Sequence, residues 1–123
     1  MAMPFGFPEL DSLYNRRIVP AARRAGFQVH RIDEEPFTKA IMERIFASIR
    51  DSHFVVFVAS EHNPNVYYEA GYAVALGKNV IMCAPQYSDL PFDVRGDNCL
   101  AYKRQIRQFE KRFENLLTKM RFP

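Results

Sequence analysis

Glu69 is the only charged residue in the stretch Asn63-Pro64-Asn65-Val66-Tyr67-Tyr68-Glu69-Ala70-Gly71-Tyr72, where its neighbours are apolar, aromatic or small. Placed on a helix, Asn65 stands four residues before Glu69 and Tyr72 three after, so an amide, a carboxylate and a phenol share one face. The amino end of that helix favours the ionised carboxylate and aims it at the edge of the sheet the helix covers. An acid inside a close-packed apolar helix is costly unless it is paired. Two readings follow: a carboxylate held ionised for chemistry, or one that accepts hydrogen bonds from neighbouring loops.

Other chemistries lack their parts. No G-x-G-x-x-G follows a strand and no G-x-x-x-x-G-K-[ST] occurs, which excludes a dinucleotide-binding turn and a P-loop. A phosphoacceptor receiver would need aspartates where Val58-Ala59-Ser60 and Pro4-Phe5-Gly6 stand. His30, His53 and His62 are scattered without metal-ligand spacing, so no metal is expected. Ser60 lacks the G-x-S-x-G elbow of a nucleophilic serine. Cys83 and Cys99 are far apart in apolar contexts, which reads as two buried thiols and not a disulfide framework.

The elements that must position Glu69 are legible around it. Phe54-Val55-Val56-Phe57-Val58-Ala59 is a short β-branched run, as in a parallel strand covered on both faces. Ser60 to Asn65 breaks it, Asn65 caps a helix over 66–76, Gly77-Lys78 closes that helix, and Asn79 to Ala84 forms the next strand. The resulting right-handed βαβ unit puts its strand-to-helix turn at the carboxyl edge of the sheet, where open α/β sheets bind ligands. Upstream, residues 1–5 form a stub of a first strand, 9–25 a helix kinked or split by Pro20, and 27–32 an alternating second strand. Thr38 caps a helix over 39–50 with Ile41, Ile45, Phe46 and Ile49 inward. Downstream, residues 99–102 form a short last strand, and an amphipathic helix over 104–120 turns Ile106, Phe109, Phe113, Leu116, Leu117 and Met120 inward. The expectation is one domain over residues 1–123, an α/β three-layer sandwich with about five parallel strands in flavodoxin-like (TIR-like) order.

Composition sets the class. A chain of 123 residues, 48% hydrophobic and 25% charged, suits a single globular domain. Apolar runs end near six residues and no secretory architecture opens the chain, so a cytoplasmic protein with no membrane partner is expected. The net charge of +3 is uneven: from Lys103 onward seven bases face two acids, which leaves −2 on residues 1–102. That basic helix reads as an amphipathic cover with a solvated outer face, and nucleic acid is not the expected partner.

The block from Asn63 to Ala73, followed by Ala75-Leu76-Gly77-Lys78-Asn79-Val80-Ile81, resembles the signature of TIR-like, nucleoside 2-deoxyribosyltransferase-like proteins. Met3-Pro4-Phe5, Arg31-Ile32-Asp33, Pro91-Phe92-Asp93 and Tyr102 extend the resemblance over most of the chain. It implies an N-glycosidase or glycosyltransferase acting on a nucleoside, nucleotide or NAD, with Glu69 as nucleophile at the anomeric carbon. Asp33 and Asp93 would bind sugar hydroxyls or protonate the leaving base, or else cap turns. Backbone groups at Phe5, Gly6 and Asn63 would line the phosphate or ribose side, Asn65 would neighbour the carboxylate, and Tyr68 or Tyr72 would orient it. No cofactor is implied, NAD or a nucleotide entering as substrate; a second copy of the chain is the other partner implied. Two positions depart from the pattern: Val58 stands where relatives carry an acid, and residues 1–5 offer no tyrosine. The alternative is a non-catalytic nucleotide-binding or TIR-like assembly domain.

Overall fold

The computed structural model describes residues 8–31, 39–59, 65–86 and 98–121, the side chains of 39–42, 65 and 121 excepted. The stub over residues 1–5, the turn containing Asp33 with Thr38, and the 87–97 loop lie outside the described residues. Helices Pro8–Leu13 (α1) and Val19–Arg24 (α2) are joined by a π turn over Tyr14–Ile18. Pro20 explains the join. Its nitrogen cannot donate to the Arg16 carbonyl, so the helix widens one turn before the ring, with the Val19 N–H reaching five residues back to the Tyr14 carbonyl. The proline thus neither splits nor breaks the run.

Helix Lys39–Asp51 (α3) leads into strand Phe54–Val58 (β1), and helix Asn65–Ala75 (α4) connects it to strand Asn79–Ala84 (β2). Strand Cys99–Ala101 (β3) and helix Ile106–Arg121 (α5) complete the described chain. The sheet is parallel, in the order β1-β2-β3, with Phe54 opposite Asn79 and Met82 opposite Cys99. Among the described residues three strands therefore stand where about five are expected in the whole chain. The second strand expected over 27–32 is not seen: its described residues, 27–31, carry no strand ladder. Phe27 instead meets Phe54 edge to face at 5.0 Å, and the Tyr14 hydroxyl donates to the Val29 carbonyl at 3.2 Å.

Two glycines end helices by the same device. Gly26 and Gly77 have φ of 88° and 74°, which only glycine adopts without strain. Each is followed by a residue whose N–H bonds five residues back, Phe27 to Ala22 at 2.9 Å and Lys78 to Ala73 at 3.0 Å.

Helices cover both faces of the sheet, and strand alternation decides which side each residue feeds. Val56, Val58, Ile81, Cys83 and Leu100 pack with Leu13, Ile18, Phe109, Phe113 and Leu117 from α1, the π turn and α5. Val55, Phe57, Ala59, Met82, Ala84 and Cys99 pack with Ile45 and Ile49 from α3 and Val66, Ala70 and Ala73 from α4. A clamp ties α5 to the first helical run. Arg17 donates to Glu110 at 3.0 Å, while Arg24 reaches Glu110 at 3.0 Å and Glu114 at 3.1 Å. Among the described residues no helix is long and apolar enough to cross a membrane.

Candidate functional site

Glu69 is the fifth residue of α4, about 6 Å along the axis from its start. That start follows β1 by connectivity, so Glu69 lies toward the carboxyl edge of the parallel sheet. Its spacing from Val66, Ala70 and Ala73 places it on the stripe that packs against β1 and β2. Glu69 is 2% exposed and is the one buried charged residue among the described residues. The helix dipole is felt mainly in the first turn, which Glu69 has passed, so burial and not the dipole sets this carboxylate apart. It engages a neighbouring group there.

Small residues bring the helix close: Ala70 and Ala73 lie against the sheet, buried. Gly71 has a different place. It faces outward, and a Cβ built on it would meet nothing within 4 Å, so close packing in this chain does not require it.

The two tyrosines diverge from Glu69. Tyr72 stacks on Phe46 of α3 with ring centroids 4.2 Å apart, and its hydroxyl accepts a hydrogen bond from Arg50 Nη1 at 2.9 Å. Tyr68 is 65% exposed, with its ring 6.1 Å from that of Phe46. The expected orienting phenol is thus engaged by α3. Phe46 and Arg50, absent from the expected site, organise this side of α4; their spacing of four on one helix was the signal that would have paired them with Tyr68 and Tyr72. Lys78 fastens the far end of the pair by donating to the Arg50 carbonyl at 2.7 Å.

Val58 changes meaning once its face is known. It is fully buried in the layer against α1 and α5, whereas Phe57 and Ala59 face the α4 layer. An acid at position 58 of this strand would therefore lie across the sheet from Glu69. Asn65 opens α4, with its side chain outside the description; Phe5, Gly6, Asp33, Asn63 and Asp93 lie outside the described residues altogether. Arg31, the last described residue before Asp33, donates to Asp11 at 2.6 Å, with its guanidinium 5.8 Å from the Tyr14 ring centroid.

Cys83 and Cys99 sit in adjacent strands one residue out of register, so they project to opposite faces of the sheet; both are buried free thiols. Burial, and then proximity to Cys99, raises the Cys83 pKa far above the ordinary thiol value, which keeps it an uncharged, unreactive group. Among the described residues no group of three or more His, Cys, Asp or Glu could hold a metal ion. Compared with known proteins, the chain matches no family model, no curated protein and no solved structure.

Proposed function

We propose that the protein is an N-glycosidase or glycosyltransferase that acts on a nucleoside, nucleotide or NAD through Glu69. The observation that carries this reading is the burial of that single carboxylate on the helix that follows a parallel strand, toward the carboxyl edge of the sheet. One Glu69 oxygen bonds to the anomeric carbon as the bond from that carbon to the base nitrogen breaks, and the electron pair leaves with the base. A nicotinamide departs neutral; a purine or pyrimidine takes a proton, from Asp33 or Asp93 in this reading. Water, or a second base, then attacks the same carbon and releases the Glu69 carboxylate.

In this reading β1, β2 and β3 belong to a flavodoxin-like sheet in TIR-like order, to which residues 1–5 and 27–32, the expected first and second strands, would add at its edge. Phe5, Gly6, Asn63 and Asn65 complete the pocket. The protein works in the cytoplasm, where Cys83 and Cys99 stay reduced.

A second reading rests on a separate observation. Tyr72 is engaged by Arg50 and Tyr68 is exposed, so neither phenol orients Glu69. That arrangement suits a domain that binds a nucleotide and signals without cleaving it. Incubation with NAD and with deoxynucleosides, with released base followed by chromatography, separates the two. Release lost in Glu69→Gln supports catalysis; thermal stabilisation by a nucleotide with no release from any substrate supports binding alone.

A further inference from the structure

The two faces of the sheet differ in charge. The first helical run and α5, residues 8–26 and 103–121, hold eleven bases against four acids, a net +7, in a chain whose total is +3. The remaining residues therefore carry −4. Sequence alone assigns the excess to one terminal helix. The structure adds the first helical run to the same layer and shows where three of its four acids go.

Glu110 and Glu114 both point at the first helical run, occupied by Arg17 of the π turn and Arg24 of α2. Asp11 is occupied by Arg31. The outer side of α5 is left basic. On α5, Arg107 and Lys111, four apart, form an exposed crest opposite the buried Phe109, Phe113 and Leu117, and the exposed Arg104 stands two residues before the helix. Arg112 and Lys119, seven apart, form a second exposed row on the flank of α5 away from the clamp, and Arg16 and Arg23, also seven apart, are exposed on the first helical run. None of these seven has a carboxylate within ion-pair distance among the described residues.

We propose that this basic layer docks the phosphate backbone of double-stranded nucleic acid. Charge complementarity points to a polyanion, and the absence of other features narrows its class. The exposed large hydrophobic residues, Tyr68, Val74 and Leu76, all belong to the α4 side. Among the described residues the basic layer therefore presents no exposed aromatic for stacking unpaired bases, and no exposed large apolar side chain to enter a bilayer. From Ile106 to Lys119 α5 runs about 20 Å, a length over which a duplex presents about one negative charge per 1.7 Å. Contacts of this kind position a protein without reading sequence. The inference does not rest on the reading of Glu69, which lies beyond the opposite face of the sheet.

The test is fluorescence anisotropy of a labelled 20-base-pair DNA duplex of arbitrary sequence, titrated with the full chain at several potassium chloride concentrations. With three to five phosphates neutralised, the logarithm of the association constant falls with log salt at a slope of about −2.7 to −4.5. A second, scrambled duplex binds equally. The triple variant Arg104→Glu, Arg107→Glu, Lys111→Glu, whose side chains are exposed, keeps its melting temperature and loses at least tenfold in affinity. Arg44→Glu, exposed on α3, leaves affinity unchanged. A slope shallower than −1, or triple-variant binding equal to wild type, overturns the proposal. So does binding to vesicles containing phosphatidylserine by a protein that ignores the duplex, an outcome that would assign the layer to a lipid surface.

Discussion

Replacing Glu69 by glutamine distinguishes a carboxylate kept for chemistry from one kept for structure, because the two roles predict different sizes of stability change. The substitution preserves shape and removes a charge that is 2% exposed. Relief of desolvation and an altered bond to the neighbouring group oppose each other, and the expected net is within about 1 kcal/mol. A structural anchor behaves otherwise: breaking a buried charged pair costs about 3–5 kcal/mol. For 123 residues the unfolding entropy is roughly 0.26 kcal/mol per kelvin, so 1 kcal/mol corresponds to about 4 °C in melting temperature. Glu69→Gln should therefore melt within about 4 °C of wild type, against a fall of about 12–19 °C for an anchor. Base release should meanwhile drop by at least about 10³-fold, the scale of losing a nucleophile. Circular dichroism melts and a chromatographic base-release assay on the same preparations make the comparison. A fall of 12 °C or more with activity lost only in proportion to unfolding, or undiminished release by the variant, would refute the reasoning.

Phe113→Ala removes a ring with no exposed surface from the layer between α5 and the sheet, and guanidinium unfolding should show a loss of about 3–5 kcal/mol. Burial raises the pKa of Glu110, but hydrogen bonds from Arg24 and Arg17 outweigh it and hold the carboxyl below the ordinary glutamate value. The folded state thus gains from this group above the unfolded pKa and loses the gain as pH falls through the folded one. The stability difference between wild type and Glu110→Gln should be full at pH 7 and should shrink as pH drops below the ordinary glutamate range. Cys83 and Cys99 should resist a maleimide in the native protein and react at once in denaturant; rapid native labelling of either would contradict their burial.

Much of the fold could be read from local pattern. Residues 54–59 are continuous, β-branched and bounded by turn residues, and the strand forms over Phe54–Val58; the strand at Asn79–Ala84 matches its expected span. Asn65, expected as a cap, is the first residue of α4. What local pattern does not hold is pairing. The alternation over 27–31 is a strand-like pattern, yet a ladder needs a neighbour that no periodicity specifies. Pro20 announced a disturbance, but the choice of a wide turn over a break depends on packing on both sides of it. Tyr72 carries the spacing expected of a partner for Glu69, and its hydroxyl went to Arg50 because α3 supplies a donor that lies far away in sequence. The weight placed on Val58 likewise turned on which face it takes, which a continuous apolar strand conceals.

The alternation of the strands between two apolar layers has a further meaning for how the protein can change. Val56 and Val58 feed one layer, Val55 and Phe57 the other. Side chains in different layers share no packing partners across the sheet, so substitutions in the two should be energetically independent, while substitutions within one layer are coupled. The buried acid belongs to the α3–α4 side and the basic crest to the α1–α5 side. Selection acting on either surface can therefore proceed with little epistasis from the other, and the middle of the sheet separates two independently evolvable layers.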